Sequence, residues 1–296
     1  MLNQNKLYLI ILAVILLLCI NLEAGEIMMW QAEVNNKTIY LVGSIHLMKP
    51  EFYPLPVAIE AAARNAETFI FETDINAVGS DELMSYILQN SMFEDGTTID
   101  TVLADSTFAL LTEKMENIGY DMNKYLVYKP WYLSLIYTMS RYRQMGFSEQ
   151  LGIDRHFYDL ARELNRRIGW FADPLEHTKL LLSLSNIEPN QLISHTIKQT
   201  ESHYYNLENL YKLWRSGNNE ELAKIVFSSF EDSPEVMETL VYQRNREWAE
   251  KILEFANDEK NYFIVVGTGH LIGKDSLVDL LEKEGISFKQ KKFNQI

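Results

Sequence analysis

The chain has 296 residues, 47% apolar and 23% charged, with 41 acidic against 27 basic side chains and a formal net charge of −14. These proportions exclude a disordered or collagen-like chain and suit one large domain or two small ones. The acidic balance argues against a general nucleic-acid binder, which needs concentrated Lys and Arg. A single cysteine, Cys19, rules out an intrachain disulfide, and nothing after it can supply a thiol nucleophile or a cysteine-built zinc site.

Residues 1–24 have the layout of an export signal. Lys6 precedes an apolar run over 7–20, and Asn-Leu-Glu-Ala follows, so cleavage is expected near Ala24. The run is shorter than the roughly 20 residues of a membrane-spanning helix, which favours cleavage over an N-terminal anchor. Leu16 stands where a lipoprotein signal has its leucine, but bulky Leu18 precedes Cys19 where a small residue is wanted. With no later stretch of spanning length, the expectation is an exported, periplasmic protein.

Residues 28–34 and 38–42 read as strands around Asn35-Asn36-Lys37, because asparagine tolerates the positive φ of a hairpin turn. Pro56 opens an alanine-rich helix over 57–66. The apolar strand over 68–71 runs directly into Glu72-Thr73-Asp74. Further strands are expected over 167–171, 262–266 and 287–293, the last two bracketing a helix over 275–284 closed by Gly285. Helical periodicity covers 80–89, 106–118, 130–145, 154–165, 177–184, 191–215, 220–227 and 234–257. The fold expected over 25–296 is a mixed α/β domain. Its central sheet carries helical insertions at about 79–165 and 176–258, which cap its C-terminal edge.

One pattern occurs twice. Gly43-Ser44-Ile45-His46 and Gly267-Thr268-Gly269-His270 each follow an apolar strand, and Glu72 ends a third strand in the same manner. Glycine lets the backbone turn and approach a ligand, while the histidine reaches the crevice where open α/β sheets bind ligands. His46, His270 and Glu72 therefore form a candidate three-ligand site for a divalent metal with a position left for water. Such an ion makes water nucleophilic and polarises a carbonyl. The set suits zinc, manganese, cobalt or iron, and the same residues also permit metal-free acid–base chemistry. The glycines of residues 267–273 match neither a dinucleotide fingerprint nor a P-loop, and neither HExxH nor G-x-S-x-G occurs.

With Leu41–His46, Tyr53-Pro54-Leu55-Pro56, Phe71–Asp74, Gly152–Phe157, Arg244–Ala249 and Val266–Leu271 in this order, the chain resembles the TraB/PrgY/GumN family. The resemblance implies kinship with the Tiki proteins, metal-dependent peptidases, and more distantly with erythromycin-esterase and haem-binding ChaN-like folds. It also implies that His46, Glu72 and His270 take the roles of the motif histidines and the catalytic acidic residue. Asp154 reads as a helix N-cap or a site residue, and His156 as a group approaching the site from the cap. Arg244 and Asn245 form a polar helix face suited to a substrate carboxylate or to Glu72, or simply to solvent.

His177, His195 and His203 are expected on helix surfaces. The aromatic residues from Tyr120 to Tyr142, Trp131 among them, read as cap packing or as the lining of an apolar substrate groove. The expected activity is that of an exported metal-dependent hydrolase, a peptidase acting on peptides or unfolded segments through a metal-activated water, with a peptide or small-molecule substrate as its partner. A binding module that sequesters a peptide or haem-like ligand and a metal-independent esterase-like hydrolase are the alternatives.

Overall fold

Asn35 and Asn36 take φ values of 50° and 63°, so β1 (Glu26–Val34) and β2 (Lys37–Ser44) join through a two-residue turn, with Val34 opposite Lys37. The computed structural model describes residues 25–77, 79–202, 207–228 and 233–292. The expected export signal with Cys19, His203 and residue 293 of the last expected strand lie outside them.

In chain order there follow α1 (Val57–Asn65), β3 (Thr68–Phe71), α2 (Asp81–Ser91), α3 (Asp105–Asn117), α4 (Pro130–Gln144), α5 (Ile153–Glu163) and β4 (Arg167–Trp170). Then come α6 (Pro174–Lys179), α7 (Pro189–Glu201), α8 (Leu207–Ser216), α9 (Asn219–Ser228), α10 (Gln243–Phe255), β5 (Tyr262–Gly267), α11 (Leu277–Lys283) and β6 (Lys289–Lys292). The strands lie in the order β4-β3-β5-β2-β1-β6. β2, β5, β3 and β4 are parallel neighbours, and β1 runs antiparallel to both β2 and β6. The fold is therefore the mixed α/β class expected.

β3 and β5 read as unbroken apolar runs because both faces of the sheet are covered. Phe157 of α5 meets Phe263 edge-on at 4.8 Å, and Phe263 in turn meets Phe69 at 5.2 Å. At the open edge, β6 carries Lys289, Lys291 and Lys292, which discourage strand addition. The helices inserted between β3 and β5 hold a separate apolar cluster that includes Leu111, Met115, Leu133, Tyr137 and Ile197.

Two helical expectations need correction. The helix over 191–215 is two helices, because the backbone turns extended at Ser202 (ψ 132°). The helix expected from His177 begins earlier, at Pro174, where Asp173 accepts from the Leu175 N–H at 2.9 Å and so caps it.

Register decides where chemistry can gather. Gly43 pairs with Val266, Ser44 with Gly267 and Phe71 with Val265, so β2, β5 and β3 end side by side. A Cβ on Gly43 would stand 2.5 Å from Met28 Cγ and 2.9 Å from Thr268 Oγ1. Gly43→Ala should therefore destabilise the protein by about 1–3 kcal/mol through overpacking. A lower urea midpoint at unchanged slope is the expected result, whereas a wild-type midpoint would show that β1 and the β5 exit separate freely.

Candidate active site

His46 leaves β2 two residues past its end and is held by the start of α5. The Ile153 N–H donates to the Ile45 carbonyl at 3.0 Å, and a Cβ on Gly152 would lie 2.5 Å from the His46 carbonyl oxygen. Glycine at 152 thus lets the helix start abut the His46 peptide. Asp154, one residue into α5, meets His46 Nδ1 through Oδ2 at 3.0 Å. The Asp154 carboxylate is the main reason that the imidazole is raised to about 9, against a smaller opposing effect of desolvation. The His46 side chain is 61% exposed, and Nε2 has no hydrogen-bond partner among the described residues.

Glu72 leaves β3 in the opposite condition, buried and fully engaged. Its Oε1 accepts the Gly267 N–H at 2.5 Å, and its Oε2 accepts from Arg244 Nη2. A Cβ on Gly267 would come within 3.0 Å of that Oε1, so the glycine lets the carboxylate lie against the β5 exit. Burial by itself would raise the Glu72 carboxyl. Arg244, with His270, His177 and His46 behind it, more than offsets this and holds the group well below the usual carboxylate range.

His270 is 5% exposed. Its Nδ1 meets Asn245 Oδ1 at 2.6 Å, and Asn245 Nδ2 donates to the Asp275 carbonyl at 2.9 Å. That second bond orients the amide, so the hydrogen-bond network assigns the imidazole proton to Nδ1 and leaves Nε2 bare. Nε2 stands 3.8 Å from Glu72 Oε1. Burial pushes this imidazole down to about 3, which makes it neutral at physiological pH.

The start of α10 supports Glu72 and His270. Arg244 lies over the Trp248 ring at 4.3 Å, and the same ring meets His270, centroid to centroid at 4.6 Å, and stacks on Phe171 at 4.8 Å. Residues Glu238–Tyr242, just before α10, form a π-helical turn. Arg244 Nη1 donates to the Leu240 carbonyl inside it at 3.0 Å. The polar helix face anticipated for Arg244 and Asn245 thus serves Glu72 and His270.

A cavity of about 350 Å³ opens at these strand ends, lined by His46, Glu72, Thr73, Asp154 and His177 among others. His177 is the residue that sequence reasoning missed. Instead of facing solvent from a helix surface, it brings Nδ1 within 4.0 Å of Glu72 Oε2 and 3.4 Å of Arg244 Nη2. Its position shortly after β4, the neighbour of β3, is the same strand-end signal that selected His46. His156 moves the other way: Nε2 pairs with Glu60 of α1 at 2.6 Å, and it does not line the cavity. The expectation that it approaches the site from the cap is corrected, because the first turn of α5 points Asp154 and His156 to different neighbours. His195 is half-buried on α7, away from this cavity.

The donor set can be tested against a divalent cation. Both motif histidines have Nδ1 tied to an oxygen acceptor and Nε2 left over, as metal-ligating histidines do. Two ligands at about 2.1 Å on a tetrahedral ion stand roughly 3.4 Å apart. The 3.8 Å between His270 Nε2 and Glu72 Oε1 is close to that separation. Among the described residues no three such groups converge closely enough to hold an ion as they stand. His46 and His177 face the same cavity and are the available third donors. The residues fit the group in kind, with Arg244 competing for one Glu72 oxygen.

The chain is thus an α/β protein with two histidines and a carboxylate at the carboxyl ends of adjacent parallel strands, the place where open α/β sheets have their crevice. The TraB/PrgY/gumN family profile matches residues 28–290, and the chain belongs to that family. It is 20% identical over 246 residues to the uncharacterized protein YbaP of Escherichia coli (strain K12), covering 83% of this chain and 88% of that one. YbaP of Shigella flexneri matches to the same extent. A metalloprotease TIKI homolog of Nematostella vectensis is 35% identical over 48 residues, 16% of this chain and 10% of that protein.

Proposed function

We propose that this protein is an exported, divalent-metal-dependent hydrolase that cleaves peptides or unfolded segments. The observation that carries the reading is the matched anchoring of His46 by Asp154 and of His270 by Asn245 beside one buried carboxylate. Family membership supports it, as does the segment shared with a protein named a metalloprotease. The apolar run and small-residue boundary of residues 1–24 support export.

Glu72 and His270 would hold the ion together with His46. When bound, it would supply a nucleophilic water at neutral pH and polarise the substrate carbonyl. Asn245 keeps the His270 proton on Nδ1, so Nε2 stays available. Arg244 fixes the Glu72 carboxylate and adds positive charge where negative charge develops on a substrate oxygen. The metal-free alternative would use a neutral His46 as base, a form that the Asp154 carboxylate disfavours.

The test is the metal content of protein purified without chelators or affinity metals, read by elemental mass spectrometry alongside His46→Ala and His270→Ala. Near-stoichiometric metal in the native protein and its loss in both variants is expected. Apparent affinity should rise as pH approaches the His46 value of about 9, since binding displaces that proton. Native protein that takes up no zinc, manganese, cobalt or iron on addition would sink the metal reading.

A further inference from the structure

His46 borders a second cavity. This groove, about 370 Å³, shares Ser44 and His46 with the polar cavity, and Leu47, Thr138, Tyr142, Leu210 and Val226 contribute to its walls. Gly269, the inner glycine of the second motif, also lines it. A Cβ there would approach Val226 Cγ1 to 3.3 Å, so the missing side chain keeps the groove open. Ser44 stands in the wall common to both cavities. It is 4% exposed, and its Oγ has no hydrogen-bond partner among the described residues. Thr73, 5% exposed on the polar side, has an equally unpartnered Oγ1.

Unpaired hydroxyls beside a polar cavity suit the backbone amides of an extended peptide, because each buried hydroxyl gains a bond only when that ligand arrives. Among the described residues, the adjoining groove offers no charged side chain apart from His46 at its rim. An acidic or basic group placed inside it would lose its water without a counter-ion. We infer that the groove receives the large apolar side chain of the residue next to the scissile bond, so that preferred substrates carry Leu, Met or Phe there. The inference rests on the hydrolase reading and names the substrate class of that same site.

A single methylene in an apolar pocket discriminates by about 10–200-fold, so Leu over Ala should reach on the order of 10²-fold in kcat/KM. Thr138 is half-buried on α4, outside the apolar clusters, so Thr138→Trp fills the groove with little threat to folding. Gly269→Val fills it from the opposite wall and is the second variant. Two readouts are taken on the purified protein: mass-spectrometric cleavage profiles of a defined peptide library, and saturation-transfer NMR with N-acetyl-leucine methylamide against N-acetyl-aspartate methylamide.

Cleavage beside large apolar residues, together with leucine-probe binding that both filled variants lose, is the expected result. Cleavage without that preference, or with a preference unchanged in the filled variants, overturns the inference and leaves the hydrolase reading standing. Leucine-probe binding that the variants lose, without cleavage of any peptide, keeps the groove assignment and overturns hydrolysis. Equal binding of the two probes, or no binding of either, overturns the groove assignment.

Discussion

His46→Ala is expected to lower peptide hydrolysis on the order of 10³-fold, by removing a group that acts directly on the reacting centre. It should do so with the fold intact. The side chain is 61% exposed and solvent screens its pairing with Asp154, so the change in stability should stay within about 1 kcal/mol. His270→Ala should remove activity to a similar degree but also soften the fold, because Asn245 Oδ1, on a fully buried residue, loses its donor. An orphaned buried acceptor costs about 1–3 kcal/mol. Turnover of the best library peptide and urea denaturation separate the two variants. Full activity in both would remove the histidines from the mechanism.

Glu72→Ala is the substitution with the largest expected effect on stability. It leaves the Arg244 side chain, 12% exposed, without its counter-ion, and breaking such a buried pair costs about 3–5 kcal/mol. Arg244 keeps the Leu240 carbonyl and the Trp248 face, which places the cost toward the lower end. Adding Arg244→Met to Glu72→Ala should recover most of the loss, giving a coupling energy of a few kcal/mol in a double-mutant cycle. Additive losses would mean that the pair is not coupled.

The pH dependence follows from the sign of the shift. The native Glu72 carboxyl lies below its unfolded value of about 4.3. Its contribution is present above that unfolded value and fades as pH falls toward the native one. The stability gap between wild type and Glu72→Ala should therefore narrow in strong acid, as read by urea midpoints across pH.

Much of this arrangement was legible along the chain, because it depends on local backbone chemistry. Paired asparagines specify the β1–β2 turn, and apolar runs without alternation mark strands covered on both faces. Glycine followed by histidine at two strand exits, with Glu72 at a third, directed attention to the crevice that the structure contains. Sequence periodicity does not encode which neighbour a side chain meets. His156 and Asp154 share one helical turn, yet one pairs with Glu60 and the other with His46.

His177 looked like one more helix histidine until β4 was paired with β3. Arg244 and Asn245 become the supports of Glu72 and His270 only because α10, entered through a π turn, lies across the exits of β3 and β5. The sequence by itself determined the elements, the mixed α/β class and the residues that end its central strands. Tertiary structure decided the partners, since strand order and helix packing bring together groups as distant in the chain as Glu72 and Arg244. Each imidazole is then set neutral or cationic by what surrounds it: burial for His270, the Asp154 carboxylate for His46.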